Sequence, residues 1–285
     1  MPKLCLFSKP NSPQAWGALN EIVYWAREKG MEVLPVPDKG GWAGTDWDAD
    51  YVELVRSEAD IAIAIGGDGT LLGVARRLFG SKIPVLGVNL GTLGFLTDVS
   101  AKDVGAMLDA LNAGAYDIEN RILLEASIDG VRHDGLAFND VVLSKGDVGR
   151  MVEYEVFVDG DSVYTLRADG LVVTTPTGST AYALSANGPI MHPSLAAIAL
   201  VPLCAHSLSA RPITLPSSAK VELVVRGNLP ARVFCDGQPC GDLLGEGARI
   251  EITQADLTVP MLHLKDYNIF KTLKQTLGWT TPRER

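Results

Sequence analysis

The sequence predicts an α/β domain with an open, mostly parallel sheet, joined to an antiparallel, β-rich second domain. Three observations carry this. Strand and helix patterns alternate through roughly the first 115 residues, the order that builds a parallel sheet with helices on both faces. Within that stretch "DIAIAI" is short and wholly apolar, as a strand buried on both faces must be. Beyond Tyr116 the pairs Asp129-Gly130, Asp159-Gly160 and Asp236-Gly237 sit between short alternating runs, which is a hairpin signal.

Taken in order, "KLCLF" reads as a strand, "QAWGALNEIVYWAREKG" as an amphipathic helix stopped by Gly30, and "MEVLPV" as a second strand. Positions 37–47, "PDKGGWAGTDW", are rich in turn residues and read as a mobile loop. "ADYVELVRSE" is helical, "DIAIAI" a strand, "TLLGVARRLFG" helical, "IPVLGVN" a strand and "AKDVGAMLDALNAG" a helix. The boundaries expected are 1–116 for the α/β domain and 117–260 for the β-rich one, in which the helix-like "STAYALSANG" is an insertion. The end, "KDYNIFKTLKQTLGW", is again helical, and 261–285 is expected to rejoin the first domain.

The 285 residues are 47% hydrophobic and 21% charged with no low-complexity tract, as in a globular protein with a sizeable core. A formal net charge of −9 and only short basic clusters such as Arg76-Arg77 argue against nucleic acid or an anionic membrane as partner. No apolar run is long enough for a spanning helix, and "MPKLCLFSKPNSP" lacks a secretory apolar region, so a cytoplasmic protein is expected. Cys5, Cys204, Cys235 and Cys240 match no zinc spacing and read as reduced packing residues. The four histidines are isolated.

The stretch with chemical content is Gly66-Gly67-Asp68-Gly69-Thr70, where a buried strand hands over to a helix. Ligands of open parallel sheets bind at the carboxyl ends of strands, and a helix N-terminus favours anions. The chain has neither GK[ST] nor GxGxxG. Asp68 would repel bare phosphate. It becomes useful beside a divalent metal, or where a hydroxyl loses its proton during attack on a phosphoryl group. An ordinary strand-to-helix turn with Asp68 as N-cap accounts for the same five residues.

Three further segments bear on the choice. "NLGTLGFLTD" (89–98) is a second glycine-rich turn after a strand, with Phe95 suited to base stacking, a hinge or plain core packing. In "FNDVVLSKG", Asn139 and Asp140 pair an amide with a carboxylate, which suits a ribose diol or base edge as well as a simple turn. In "RADGLVVTTPTGSTAYALSANGP", Ser179 or Thr180 would cap the helix that follows. Thr175, Thr177, Ser179 and Thr180 together are more hydroxyls than one cap needs, so an adenine edge or phosphate is a second use for them.

Together with "SARP", "CDGQ" and the C-terminal "KDYNIFKTLKQTLGW", these segments resemble the NAD kinases, in family order and from about residue 60 to 279. "GGDGT" alone is also similar to diacylglycerol-kinase-like and phosphofructokinase-like enzymes; "TPTGSTAYALS" and "FND" are more specific. The resemblance implies transfer of the γ-phosphoryl of ATP to the 2′-hydroxyl of the adenosine ribose of NAD, giving NADP. It implies an α/β domain plus an all-β, sandwich-like domain, a returning C-terminal helix, and a homodimer or homotetramer. It also implies a divalent metal, Mg²⁺, accompanying ATP and possible near Asp68, with no fixed protein metal site.

Carried over by position, the resemblance makes Asp68 the catalytic aspartate, with Gly66, Gly67, Gly69, Thr70 and Phe95 around the ligands. Asn139 and Asp140 match a nucleoside-contacting Asn-Glu/Asp pair, with the shorter acid here. Arg150 falls near the ligand, and Asp169 matches an aspartate at the nicotinamide end. Thr180, Ala181, Tyr182 and Ser185 match the adenosine-binding turn, Thr177, Ala183 and Leu184 are expected among the binding residues with them, and Gln238 matches a further contact. Arg167 stands where a large basic residue in relatives goes with preference for NAD over NADH; Ala168 replaces a common Gly or Ser. A lipid kinase of the same superfamily and a non-catalytic NAD(P) sensor are the alternatives. The first lacks a membrane-docking surface in this acidic chain, and the second leaves Asp68 without a purpose.

Overall fold

The computed structural model describes residues 1–9, 11–35, 49–91, 93–146 and 149–279; the expected loop at 37–47 lies outside them. The chain divides into two compact units, Met1–Asn120 with Val259–Arg285, and Arg121–Thr258.

The first unit contains β1 (Lys3–Ser8), α1 (Pro13–Glu28), β2 (Glu32–Val33), α2 (Ala49–Glu58), β3 (Ile61–Ile65), α3 (Asp68–Arg77), β4 (Val85–Asn89), β5 (Val99–Ser100) and α4 (Val104–Asn112). Strands β2, β1, β3 and β4 lie side by side in that order, all parallel. Residues 61–65 are buried without exception, because helices cover both faces. Helix α1 starts where Ser12 Oγ accepts the Ala15 N–H and Pro13 supplies a preset φ. It buries Ala15, Ala18, Leu19, Ile22 and Ala26, a stripe at helical spacing. Burial of Leu19 and Ile22 contributes about 1.5–3 kcal/mol each. Of the described residues 31–35, Glu32–Val33 form the strand; Leu34 still donates its N–H to the Leu4 carbonyl.

The second unit is antiparallel. Its strands are β6 (Tyr116–Ile128), β7 (Val131–Ala137), β8 (Asp140–Ser144), β9 (Val152–Val158), β10 (Asp161–Ala168), β11 (Gly170–Thr174), β12 (Ala197–Leu203), β13 (Ile213–Pro216), β14 (Val221–Arg226), β15 (Ala231–Cys235), β16 (Gln238–Leu244) and the first part of β17 (Arg249–Leu264). One sheet runs β10-β9-β14-β17, with β6 and β7 attached; the other runs β13-β12-β11-β8-β15-β16. Val152, Tyr154 and Val156 of one sheet share a core with Val141, Leu143, Leu171 and Val173 of the other. That period-two burial is the signature of a sandwich. The outer face of the second sheet carries a separate cluster, in which Val142, Val172 and Val201 pack under Ala183 and Met191.

All three Asp-Gly turns have both residues at positive φ, as a type I′ hairpin turn requires: Asp129 48° and Gly130 78°, Asp159 52° and Gly160 91°, Asp236 49° and Gly237 75°. The C-terminal stretch of β17 returns to the first unit, where Met261 pairs in parallel with Val85. There His263 Nδ1 meets Asp98 Oδ2 at 2.9 Å, and its ring stacks on Tyr267 with centroids 4.0 Å apart. Helix α6 (Ile269–Thr276) follows, capped by Asn268, whose Oδ1 accepts from the Phe270 and Lys271 N–H groups.

Candidate active site

In the first unit the site begins at the end of β3. Gly66 passes its N–H to the Val88 carbonyl, and α3 starts at Asp68 with Gly67 as N-cap. Asp68 is therefore inside the first turn and caps nothing through its side chain, against the plain-turn reading. Its carboxylate points to the second glycine-rich turn. Oδ2 accepts the Phe95 N–H at 2.8 Å; Oδ1 accepts the Leu96 N–H at 3.1 Å and the Thr97 hydroxyl at 3.3 Å. A carboxylate offers about four lone-pair directions, so roughly one remains for a further donor.

The glycines divide by cause. A β-carbon on residue 66 would come within 2.3 Å of Thr70 Oγ1, and one on residue 94 within 1.9 Å of Asp68 Oδ1, so packing forbids side chains there. Gly67 and Gly69 are exposed, and a β-carbon on either meets nothing within 4 Å. Gly67 has an ordinary φ of −97°. Among the described residues nothing demands glycine at these two positions, and the backbone there is open to close approach. They flank the start of α3, where the first backbone N–H groups lack intrahelical acceptors and favour an anion. Phe95 is half-buried beside them.

In the second unit the turn 138–140 leads into β8. The Asp236 carboxylate accepts the N–H groups of Phe138 (2.9 Å), Asn139 (2.7 Å) and Asp140 (3.3 Å). Thr175 donates its N–H to the Asn139 carbonyl at 2.9 Å and its hydroxyl to that of Phe138 at 2.6 Å. A β-carbon on Gly178 would stand 2.1 Å from the Asn139 carbonyl oxygen, so the 175–180 turn rests directly on this one. Asn139 Oδ1 is buried without a hydrogen-bond partner among the described residues, an unspent acceptor at this turn. Burial, and after it the charge of Asp236, pushes the Asp140 carboxyl up to about 7.

The hydroxyls of the next segment are structural to different degrees. Ser179 Oγ donates to the Pro176 carbonyl at 2.6 Å and accepts the Met191 N–H at 3.0 Å. Thr180 Oγ1 donates to the Thr177 carbonyl, and buried Arg121 reaches Thr177 Oγ1 at 3.4 Å. Neither Ser179 nor Thr180 caps a helix: 178–180 is a 3-10 turn and the helix α5 (Tyr182–Ser185) is a single turn after Ala181. Tyr182 and Ser185 are exposed, Thr180, Ala181 and Leu184 half-buried, and Ala183 is buried in the outer cluster.

Both halves carry recognisable family features. Residues 4–116 match the ATP-NAD kinase N-terminal domain and residues 138–264 the ATP-NAD kinase C-terminal domain. The chain belongs to the ATP-NAD kinase family. It is 43% identical over 287 residues to the NAD kinase of Aromatoleum aromaticum, covering 98% of this chain and 95% of that one. With the NAD kinase of Azoarcus sp. the identity is 46% over 282 residues, covering 97% and 96%. Among solved structures, yeast NADH kinase complexed with NADH superposes with a TM-score of 0.86 at 25% identity, covering 100% of this chain and 90% of that one. An Archaeoglobus fulgidus NAD kinase in complex with ATP shares the fold, with a TM-score of 0.76 at 24% identity over 98% of this chain and 100% of that one.

Set against this ATP-NAD kinase frame, the candidate residues fall into local groups. Gly66, Gly67, Asp68, Gly69, Thr70 and Phe95 cluster in the first unit through the Asp68 contacts. Asn139, Asp140 and Thr177 are linked through Thr175 and the adjoining turn in the second. Asp169 is engaged already: Lys145 Nζ lies 2.7 Å from its Oδ1. Arg167 is exposed on β10, in register with Glu153; Arg150 and Gln238 are exposed as well. Sequence reasoning missed Thr97, Arg121, Lys145 and Asp236. Thr97, Lys145 and Asp236 stand in the quoted "NLGTLGFLTD", "FNDVVLSKG" and "CDGQ", and Asp236 also opens a hairpin turn; Arg121 carried no signal.

Proposed function

We propose that the chain is an NAD kinase that transfers the γ-phosphoryl of ATP to the 2′-hydroxyl of the adenosine ribose of NAD, with Asp68 acting on that hydroxyl. The observation that carries the assignment is the Asp68 carboxylate, held by three donors from 95–97 with one lone-pair direction to spare. In the reaction the hydroxyl oxygen forms a bond to the γ-phosphorus, the bond to the β-phosphate oxygen breaks, and ADP leaves. The proton of the hydroxyl passes to Asp68. The open backbone at Gly67 and Gly69 and the start of α3 receive phosphate oxygens, which offsets the repulsion of an acidic chain.

The nucleoside contacts are assigned to Asn139, Asp140 and the residues after β11. Asn139 Oδ1 accepts from a donor on the nucleoside, Asp140 accepts from the ribose diol, and the 177–185 turn and Gln238 complete its contacts. Arg150, Arg167 and Asp169 serve the dinucleotide's other end, with Arg167 favouring NAD over NADH. Among the described residues no three His, Cys, Asp or Glu side chains converge on a metal position. In this reading ATP enters as its Mg²⁺ complex, with Asp68 beside the phosphates. The reading is completed by a cytoplasmic homo-oligomer.

Incubation with Mg-ATP and, separately, NAD, NADH or diacylglycerol, followed by chromatography, tests the reaction. NADP from NAD is expected. A phosphorylated lipid with no NADP would install the lipid-kinase alternative, and binding without product the sensor.

A further inference from the structure

We propose that Asp236 is the positioning residue of the dinucleotide site: its carboxylate shapes the Phe138–Asp140 turn into the conformation that presents Asn139 and Asp140 to the nucleoside. The inference rests on the NAD kinase reading and deepens it.

Every backbone polar group of the turn is paired, and Asp236 serves most of them. Its two carboxylate oxygens take the N–H groups of Phe138, Asn139 and Asp140, and its own N–H returns a bond to the Asp140 carbonyl at 3.0 Å. Only the carbonyls of Phe138 and Asn139 go elsewhere, to Thr175 and Thr174. Three consecutive N–H groups converging on one carboxylate form an anion nest, here filled from within the chain. Filling it fixes the direction in which the two side chains leave the backbone.

The other Asp-Gly turns supply an internal comparison. Asp129 Oδ1 accepts the N–H of Arg249 at 2.8 Å, and Asp159 Oδ1 that of Lys220 at 2.9 Å. Each aspartate thus ties its hairpin to one neighbouring N–H, which is ordinary turn chemistry. Asp236 has the same backbone conformation and reaches three, all on the segment that carries the candidate nucleoside contacts. It also sets a negative charge against buried Asp140. Across the strands Asp140 faces Thr174 on β11, and Cys235 precedes Asp236 at the end of β15; of these Asp236 is the charged group.

The test compares Asp236→Asn with Asp129→Asn and Asp159→Asn in the full-length chain, reading KM and kcat for NAD and for Mg-ATP, the pH profile of kcat/KM for NAD, and thermal unfolding. An asparagine keeps one acceptor oxygen but turns an amide N–H toward a backbone N–H. For Asp236→Asn the KM for NAD is expected to rise about ten- to a hundredfold, with kcat and the KM for ATP within about threefold, and with the acid limb of the pH profile moved to lower pH as Asp140 loses its charged neighbour. The other two variants should lose comparable thermal stability with an unchanged KM for NAD. Parental KM and pH profile in Asp236→Asn overturn the proposal, as does an equal KM change in all three variants. Should Asp236→Asn not fold, Asp236→Glu takes its place: a raised KM for NAD in a folded protein supports positioning, whereas a parental KM or loss of folding here too assigns Asp236 to stability alone. If the parent forms no NADP, the NAD kinase reading fails first and separately.

Discussion

Gly94 and Asp68 are in such close contact that a β-carbon on residue 94 would stand 1.9 Å from Asp68 Oδ1 and 2.5 Å from its Cγ. The obstruction is the carboxylate itself, so a side chain at 94 must displace the group the reaction needs. Gly94→Ala is expected to reduce kcat by at least about a hundredfold, the scale of losing a positioned proton acceptor. The N–H groups of Phe95 and Leu96 would lose their acceptor as well, and stability should fall by about 1–3 kcal/mol. Steady-state kinetics with thermal unfolding checks both effects; a fully active Gly94→Ala enzyme would remove the Asp68 contacts from the mechanism.

Asp68→Asn separates chemistry from binding. The amide keeps one acceptor for the 95–97 turn and cannot take a proton from a hydroxyl. Turnover should drop about 10²–10⁴-fold, while the Kd for NAD from calorimetry stays within about threefold. Surviving turnover would show that another group accepts the proton.

Gly67 and Gly69 reverse the pattern of Gly94. Open space surrounds both; Gly69→Ala, inside the first turn of α3, should leave the unfolding temperature unchanged or higher by the equivalent of about 0.4–1 kcal/mol, whereas Gly67→Ala puts a poorer residue at the N-cap and should lower it slightly. The added methyl would stand where phosphate oxygens approach, and the KM for ATP or NAD should rise about tenfold or more. Unchanged kinetics in both variants would mean that no ligand comes close to this backbone.

These tests concern contacts that periodicity and turn chemistry do not encode. The alternation of apolar and helical runs made β1, α1 and β3 legible, and the Asp-Gly pairs made the hairpins legible, because both signals are local. The partners of Asp68 lie 27 to 29 residues away and those of Asp236 96 to 98 residues away, distances at which no spacing rule operates. Local reading also extended the helix at 179–188 too far. Ser179 spends its hydroxyl on Pro176 and Met191, and the chain turns as a 3-10 segment before one helical turn. The start of α3 at Asp68, ahead of Thr70, follows from Gly67 serving as N-cap, a role that glycine fills without a side-chain signature.

Asp140 gives a prediction with a definite sign. Its carboxyl is pushed from an ordinary 3.8 up to about 7 in the folded chain, by burial and then by Asp236. The folded state therefore binds a proton there more tightly than the unfolded state does. Between about pH 4 and pH 7 the unfolded chain has released that proton while the folded chain keeps it, so this group's contribution to stability falls as pH rises through that window. Each unit of displacement corresponds to about 1.4 kcal/mol. Asp140→Asn removes the titration and keeps a neutral, hydrogen-bonding side chain of the same size. Its unfolding free energy should exceed the parent's at pH 8 and converge with it near pH 4. Denaturant titrations at the two pH values measure the difference directly. A constant gap between variant and parent would mean that Asp140 titrates in the folded protein as it does in the unfolded one.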